Sequence, residues 1–486
     1  MTLACALLAS CLAAQESAPS ALPREPRRFR AGAVTYEADV GLVPVPLDHA
    51  RDDGPRIQLA VARLKSTASE PGAPIVFLAG GPGEGATNMA DSPIWAAYLE
   101  LGDVLLVDQR GTGRSQPSLA EHAPELDAGK LFLDRPTALA AVLEASRAAA
   151  ADLRASGIDL VFYDARQSAD DVVTVVHALG YERARLLAHS YGTHVALDLL
   201  RRHAELVERC ALLGAAGPDD LLKPASELDP FVGQLAQRAK AAPELAGGMP
   251  DLVAVLARVL ARAAKEPFTV ELPGPGEPVR VAVGRFGLER VLLADLGDPS
   301  DLVVFPRLLA ELDRGETKLL AWFVAKRFEQ SRRLPLALYA LRGPSGASPE
   351  RAAHIAADAK QCLFEDARNF PFPDVLPVLG IRDLGEAFRR PVTSDVPALV
   401  VSGTLDANTP VRQGQIVRRG FAHGAHLVVA NAGHDDLLFD ERIRERVVAF
   451  LAGDEAHDGT LEIARRPFVP LTGTVDPAAH PALGVR

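Results

Sequence analysis

Four short stretches of this chain carry side chains suited to a single reaction. Ala188-His189-Ser190-Tyr191-Gly192 has the G-x-S-x-G form, with alanine in the first small position. A serine hydroxyl is a weak nucleophile until a neighbouring base takes its proton. His434, in Asn431-Ala432-Gly433-His434, is the candidate base. An imidazole in that role needs a carboxylate to fix its tautomer and stabilise the cation it becomes. Asp406, in Gly403-Thr404-Leu405-Asp406, is the candidate carboxylate. Gly80-Gly81-Pro82-Gly83 gives a loop whose backbone can approach a reacting oxygen, although Pro82 has no N–H to offer. The amides of Gly81 and Tyr191 are therefore the expected donors to an oxyanion. This loop does not have the form of a phosphate cradle, because no Lys-Ser/Thr follows it. The expected chemistry is acyl transfer through a covalent serine intermediate, with no metal and no cofactor.

Other residues compete for these roles. His189 adjoins the nucleophile and is expected to be a pocket wall or packing residue, with a role as the base as its alternative. Asp435 and Asp436 sit too close to His434 to orient its ring, and are expected to be solvated acids at a helix start. His423 and His426 belong to the surface or to a strand start.

The set works only if the chain gathers it at one edge. Each stretch follows an apolar run of the kind that forms a strand buried on both faces. These runs are Pro74–Ala79, Arg185–Ala188, Ala398–Ser402 and His426–Ala430. Asp103–Val107 and Arg209–Leu213 are two more, and Val34–Val40 and Ile57–Leu64 have strand patterns. Helical patterns at Ala169–Leu179 and Thr193–His203 alternate with them. This alternation predicts an α/β fold, a mostly parallel sheet with helices on both faces. Ligands in such a sheet sit beyond the carboxyl ends of the strands, where all four stretches fall.

The pattern changes over 217–391. Amphipathic helix is predicted for Phe231–Ala264 with a break at Gly247-Gly248, and for Ser300–Leu312, Lys318–Gln330 and Glu350–Cys362. A small hairpin spans 268–283, and a last helix covers Arg442–Leu451. The expected organisation is a leader over 1–32, a core in two parts (33–216 and 392–452) split by a mainly helical cap over 217–391, and a tail over 453–486.

Among 486 residues, Asp plus Glu (63) exceed Lys plus Arg (52), giving a net charge of -11 that argues against a binder of nucleic-acid backbone. Four cysteines, Cys5, Cys11, Cys210 and Cys362, fit neither a disulfide scaffold nor a zinc motif, and the last two are expected to be separate buried thiols. Leu3–Ala14 has the length of a signal h-region, and Leu8-Ala9-Ser10-Cys11 resembles a bacterial lipobox. Export is therefore expected, to the periplasm, the medium or a lipid anchor at Cys11. No Lys or Arg precedes the apolar stretch, so a short first helix of a cytoplasmic protein is the alternative.

Three motifs carry a family resemblance. Phe77–Gly83 (FLAGGPG), Val107–Ser115 (VDQRGTGRS) and His189–Gly192 (HSYG) resemble the prolyl iminopeptidase and tripeptidyl aminopeptidase group of serine α/β-hydrolases. Val45-Pro46-Leu47-Asp48-His49 is similar to an N-terminal signature of the tripeptidyl branch. The departures are Ala79, where the group usually has histidine, and Ala188 at the elbow. The resemblance implies the α/β-hydrolase fold, with the chain order Ser190, Asp406, His434. It also implies hydrolysis of a peptide, amide or aryl-amide bond near a free N-terminus, with small peptides as substrates. Asp108 and Arg110 are then structural. Cap carboxylates would pair with the substrate ammonium, and Cys362-Leu363-Phe364-Glu365-Asp366 resembles the matching segment, with Glu365 favoured as the substrate-binding residue and a solvated helix end as the alternative. An esterase, lipase or general amidase with the same triad remains open, as does a non-catalytic binding protein on the same scaffold.

Overall fold

The computed structural model describes residues 25–473 apart from 32–33, 52, 246–247, 250, 273–277, 296 and 366. The expected signal segment, Cys11 and Asp366 lie outside the described residues. Among the described residues there are twelve strands: β1 (Glu25–Ala31), β2 (Val34–Pro46), β3 (Arg56–Leu64), β4 (Ile75–Leu78), β5 (Val104–Val107), β6 (Ala184–His189), β7 (Val207–Leu213), β8 (Phe268–Leu272), β9 (Val279–Val283), β10 (Ala398–Gly403), β11 (Gly424–Ala430) and β12 (Gly459–Glu462). All but β8 and β9 join one sheet in the order β1-β2-β3-β5-β4-β6-β7-β10-β11-β12. Pairing is antiparallel from β1 through β3 to β5 and parallel from β5 to β12.

Continuous apolar runs become central strands because both faces are covered. Val76, Leu78, Leu186 and Ala188 point to a layer with Val172, Val176, Val195 and Leu199, from the helices Ala165–Ala178 and Tyr191–Arg202. Their alternate neighbours Ile75, Phe77 and Leu187 point the other way, to Trp95, Tyr98 and the helix Glu441–Ala452.

Between β7 and β10 the described residues add no strand to this sheet. It forms helices, among them Asp229–Ala241, Leu252–Lys265, Arg285–Asp295, Phe305–Arg314, Lys318–Gln330 and Leu336–Arg342, with β8 and β9 as an antiparallel hairpin. Leu260, Leu308, Phe323 and Leu336 build the core of this region, which also takes in Val142 of the helix Arg135–Ala155.

Two terminal segments differ from expectation. Glu25–Ala31, placed in the leader by its Arg-rich composition, pairs along its length with β2. Gly459–Glu462, placed in the tail, is the far edge strand beside β11. The chain then packs back on the helical region, with Phe468 and Val469 buried and the Val469 N–H donating to Val303 O at 3.0 Å. Proline ends helices but does not prevent extended backbone from burying side chains.

Asp108 and Arg110 have structural roles. Asp108 accepts from Thr87 N (2.7 Å), Thr87 Oγ1 (2.8 Å) and Arg114 N (2.9 Å), and a Cβ at Gly113 would collide with its carboxylate. Arg110, fully buried, grips Asp171 with two bonds of 2.8 and 2.7 Å and donates to the carbonyls of Leu47 and Phe162. Cys210 and Cys362 are separate free thiols as expected, but only Cys210 is buried and Cys362 is half-buried. Among the described residues no helix is long and apolar enough to cross a membrane.

Candidate active site

Ser190 stands where β6 turns into the helix Tyr191–Arg202. Its backbone, at φ 55° and ψ -122°, lies in a region that residues with a Cβ avoid. Such a conformation costs on the order of 1–3 kcal/mol and persists only when its surroundings fix it. Here the Ser190 N–H donates to Leu213 O of β7 at 2.9 Å, and the Thr193 hydroxyl donates to Ser190 O at 2.7 Å. The turn also needs small neighbours. A Cβ at Gly192 would collide with the Leu78 carbonyl of β4, and one at Gly80 would lie 2.8 Å from the Ser190 Cβ.

Because β4 and β6 are neighbours, the loop after β4 reaches the serine. Gly81 has φ +103°, open to glycine alone at little cost. Among the described residues its N–H has no acceptor. Tyr191 is the first residue of its helix, so its N–H has no intrahelical partner. Its ring is buried, with the hydroxyl donating to Leu341 O at 2.9 Å. Gly81 and Ser190 line both cavities described below, and Tyr191 lines one of them.

Asp406, in the turn after β10, is buried and saturated with donors. Its Oδ1 accepts from Asn408 N and Thr409 N, each at 2.8 Å. Its Oδ2 accepts from Thr409 Oγ1 at 2.6 Å and pairs with His434 Nδ1 at 2.8 Å. Burial opposes its charge, but the His434 and Thr409 contacts outweigh burial and hold the carboxyl below its ordinary range. His434, in the loop after β11, is tied back by its N–H to Gly297 O at 3.0 Å. A Cβ at Gly214 would lie 2.8 Å from Thr409 Oγ1 and 3.1 Å from His434 Cε1, so only glycine leaves the pair room. Burial pulls the imidazole down, yet Asp406 and then Asp435 lift it above its usual value. A base must be neutral to act. The acid limb of kcat/KM on an uncharged substrate is therefore expected above the ordinary imidazole value of about 6.5. A limb at or below that value contradicts the His434–Asp406 pairing.

His434, Ser190 and Gly81 share a cavity of about 400 Å³. Four carboxylates also line it: Glu84, Asp298, Asp301 and Asp435. Asp301 is bound to Lys326 at 2.5 Å. No cation within ion-pair distance is found for Glu84, Asp298 or Asp435 among the described residues. Asp435, exposed at the start of the helix Asp436–Phe439, opens onto the cavity, and desolvation by the surrounding protein, with Asp298 and Glu84 nearby, pushes its carboxyl up to about 6. A second cavity of about 320 Å³ opens from Ser190 on the Tyr191 side.

His189 is a wall residue. Its ring lies 4.8 Å from that of His434, its Nε2 bonds His434 O at 3.2 Å, and burial pushes it down to about 3, so it stays neutral. Asp436 is buried and paired with Arg466 at 2.7 Å rather than solvated, and it also holds the Gly433 N–H. His426 bonds Ser402 Oγ at 3.0 Å within the sheet.

The structure places Glu365 elsewhere. It is exposed, pairs with Arg285 at 2.9 Å, and lines a separate cleft with Arg135 and Phe286. The N-terminal turn of the helix Arg285–Asp295 captures it. Three positions on, Arg368 instead faces the 320 Å³ cavity. Sequence reasoning did not place carboxylates beside Ser190, and Asp435 was expected only as a solvated acid at a helix start. Glu84 directly follows the glycine loop, and Asp298, before Pro299, had the signal of a helix cap, which it is. Among the described residues no group of three or more His, Cys, Asp or Glu is arranged to hold a metal ion.

A family model described as alpha/beta hydrolase fold matches residues 73–246, and one described as TAP-like protein matches residues 382–460. The chain has the α/β-hydrolase fold. A tripeptidyl aminopeptidase from Streptomyces coelicolor and another from Streptomyces lividans are each 30% identical over 172 residues. That segment is 32% of this chain and 31% of each relative. Among solved structures, a thermophilic esterase from Thermogutta terrifontis aligns over 84% of this chain and 97% of its own, with 16% identity and a TM-score of 0.37. A meta-cleavage product hydrolase from Pseudomonas fluorescens aligns over 81% and 94%, with 15% identity and a TM-score of 0.38.

Proposed function

We propose that this protein is a serine hydrolase that cleaves short peptides bearing a free amino terminus. In this mechanism Ser190 Oγ attacks the scissile carbonyl while His434 Nε2 takes its proton. The N–H groups of Gly81 and Tyr191 stabilise the oxyanion. His434 then returns the proton to the leaving amine, and water, activated by the same imidazole, releases the acyl group.

The observation that carries this reading is the His434–Asp406 pair at 2.8 Å in the loops beside the strained Ser190 turn, with Ser190 and His434 on one cavity. The free-amine preference is supported by Glu84, Asp298 and Asp435, which among the described residues have no ion-pair partner and can receive an ammonium there. It is further supported by the TAP-like match and by the name of the Streptomyces relatives. These carboxylates replace Glu365 in the role of amine anchor. The apolar Leu3–Ala14 supports export of the enzyme, with Cys11 as a site for lipid attachment.

The test compares free-amine and acetyl-blocked forms of the same peptide p-nitroanilide on wild type and Asp435→Asn. Wild type is expected to favour the free amine, and the variant to lose about ten- to a hundredfold of that preference, read as the ratio of kcat/KM between the two forms so that any shift of His434 common to both cancels, the scale of a lost charged hydrogen bond. The wild-type preference should also weaken as pH falls through about 6, where the Asp435 carboxyl gains its proton. Equal cleavage of both forms by wild type would place the enzyme among esterases or general amidases.

A further inference from the structure

The second cavity beside Ser190 is cationic. Lys223, Arg290, Arg342 and Arg368 line it, and among the described residues no carboxylate does. The four come from separate parts of the insertion: the segment after β7, the helix Arg285–Asp295, the end of the helix Leu336–Arg342, and the turn at 367–369. Among the described residues none of them has a carboxylate within ion-pair distance. The nearby acids Asp220 and Glu227 are both taken by Arg351, at 2.8 and 3.0 Å.

Neutral groups hold the cations instead. Arg342 donates to Leu221 O at 2.5 Å, and Arg368 donates to Ala407 O. Lys223 donates to Asn408 O and, at 3.1 Å, to Gln413 Oε1. Arg290 donates to Leu131 O at 3.2 Å and lies over the Phe370 ring at 5.2 Å. Among the described residues two buried nitrogens, Arg342 Nε and Arg368 Nη1, have no hydrogen-bond partner. Burial and the neighbouring Arg368 push Lys223 down to about 7, and burial pushes Arg342 and Arg368 down to about 10.

Gathering like charges out of water without counter-charge is costly. Arginine also presents a planar fork matched to carboxylate oxygens. A cavity that concentrates such forks beside the nucleophile, with two buried donors unpartnered among the described residues, suits an anion. We propose that this cavity is the subsite for a carboxylate of the substrate, so that preferred substrates carry a negative group near the scissile bond. That group is either the carboxy terminus of a short peptide or an Asp or Glu side chain. The proposal rests on the hydrolase reading of Ser190 and adds an anionic requirement to it. Around Ser190 the enzyme then offers carboxylates to one end of a short zwitterionic peptide and cations to the other.

The experiment uses four matched free-amine peptides: a carboxy-terminal acid and its amide, and a Glu peptide and its Gln counterpart. Wild type is expected to favour the anionic member of at least one pair by about ten- to a hundredfold in kcat/KM, the range of a charge-assisted hydrogen bond. A preference confined to the acid–amide pair assigns the cavity to the carboxy terminus, and one confined to the Glu–Gln pair assigns it to a side chain. Arg368→Gln and Arg342→Gln should each move that ratio toward one. Because the readout is a ratio within one enzyme, a general loss of activity cancels. If a variant fails to fold, the wild-type ratio still decides. Wild type that cleaves all four peptides with equal kcat/KM overturns the carboxylate subsite and leaves the hydrolase reading standing. Wild type that cleaves none and is not labelled by a fluorophosphonate overturns the reading beneath it.

Discussion

Ser190→Ala is expected to lower kcat by on the order of 10⁶-fold, the scale seen when the nucleophile of a cooperating triad is removed. The variant should fold, because the Ser190 N–H bond to Leu213 O and the Thr193 bond to Ser190 O both use the backbone at 190. The residual rate, roughly 10³–10⁴ over the uncatalysed reaction, would come from the oxyanion donors and substrate binding alone. Steady-state kinetics on a peptide anilide, with a circular-dichroism melt as a control, check the result. A loss of less than about a hundredfold in a folded variant is the size of a lost positioning contact and would deny Ser190 the covalent role.

Asp406→Asn is expected to cost about 10⁴-fold in kcat. The Asn408 and Thr409 N–H groups both point at Oδ1, each at 2.8 Å. They would draw the amide oxygen of an asparagine and turn its NH2 toward His434 Nδ1. The imidazole would then carry its proton on Nε2 and could not accept one from Ser190. Loss of the carboxylate also removes the largest influence raising His434, so any remaining activity should show its acid limb at lower pH than wild type. A pH–rate profile of the variant reads both effects.

Much of the architecture was legible because central strands declare themselves. Ile75–Leu78, Val104–Val107 and Ala398–Gly403 are buried at every position, and their sequences are continuous apolar runs. Once these are strands, the residues just past them must share one edge, which is why Ser190, Asp406 and His434 could be chosen from separate parts of the chain. Edge strands give no such signal. Glu25–Ala31 carries three arginines, and Gly459–Glu462 is mostly exposed, so composition assigned both to terminal segments. The cap was harder for another physical reason. Which face of a helix meets the substrate depends on how the helices of the insertion pack together. Glu365 was drawn away by Arg285, while Asp298 and Asp435 came to the serine from segments more than a hundred residues apart in sequence. The four cations of the second cavity look individually like ordinary solvated charges, and only the folded insertion brings them into one wall.

The most direct measurement is mass spectrometry of the intact protein after reaction with a fluorophosphonate, followed by peptide mapping. One adduct per chain, on Ser190, lost in Ser190→Ala and formed far more slowly in Asp406→Asn, is the predicted result. An adduct on another residue, or none on a folded wild-type protein, would contradict covalent catalysis at this site.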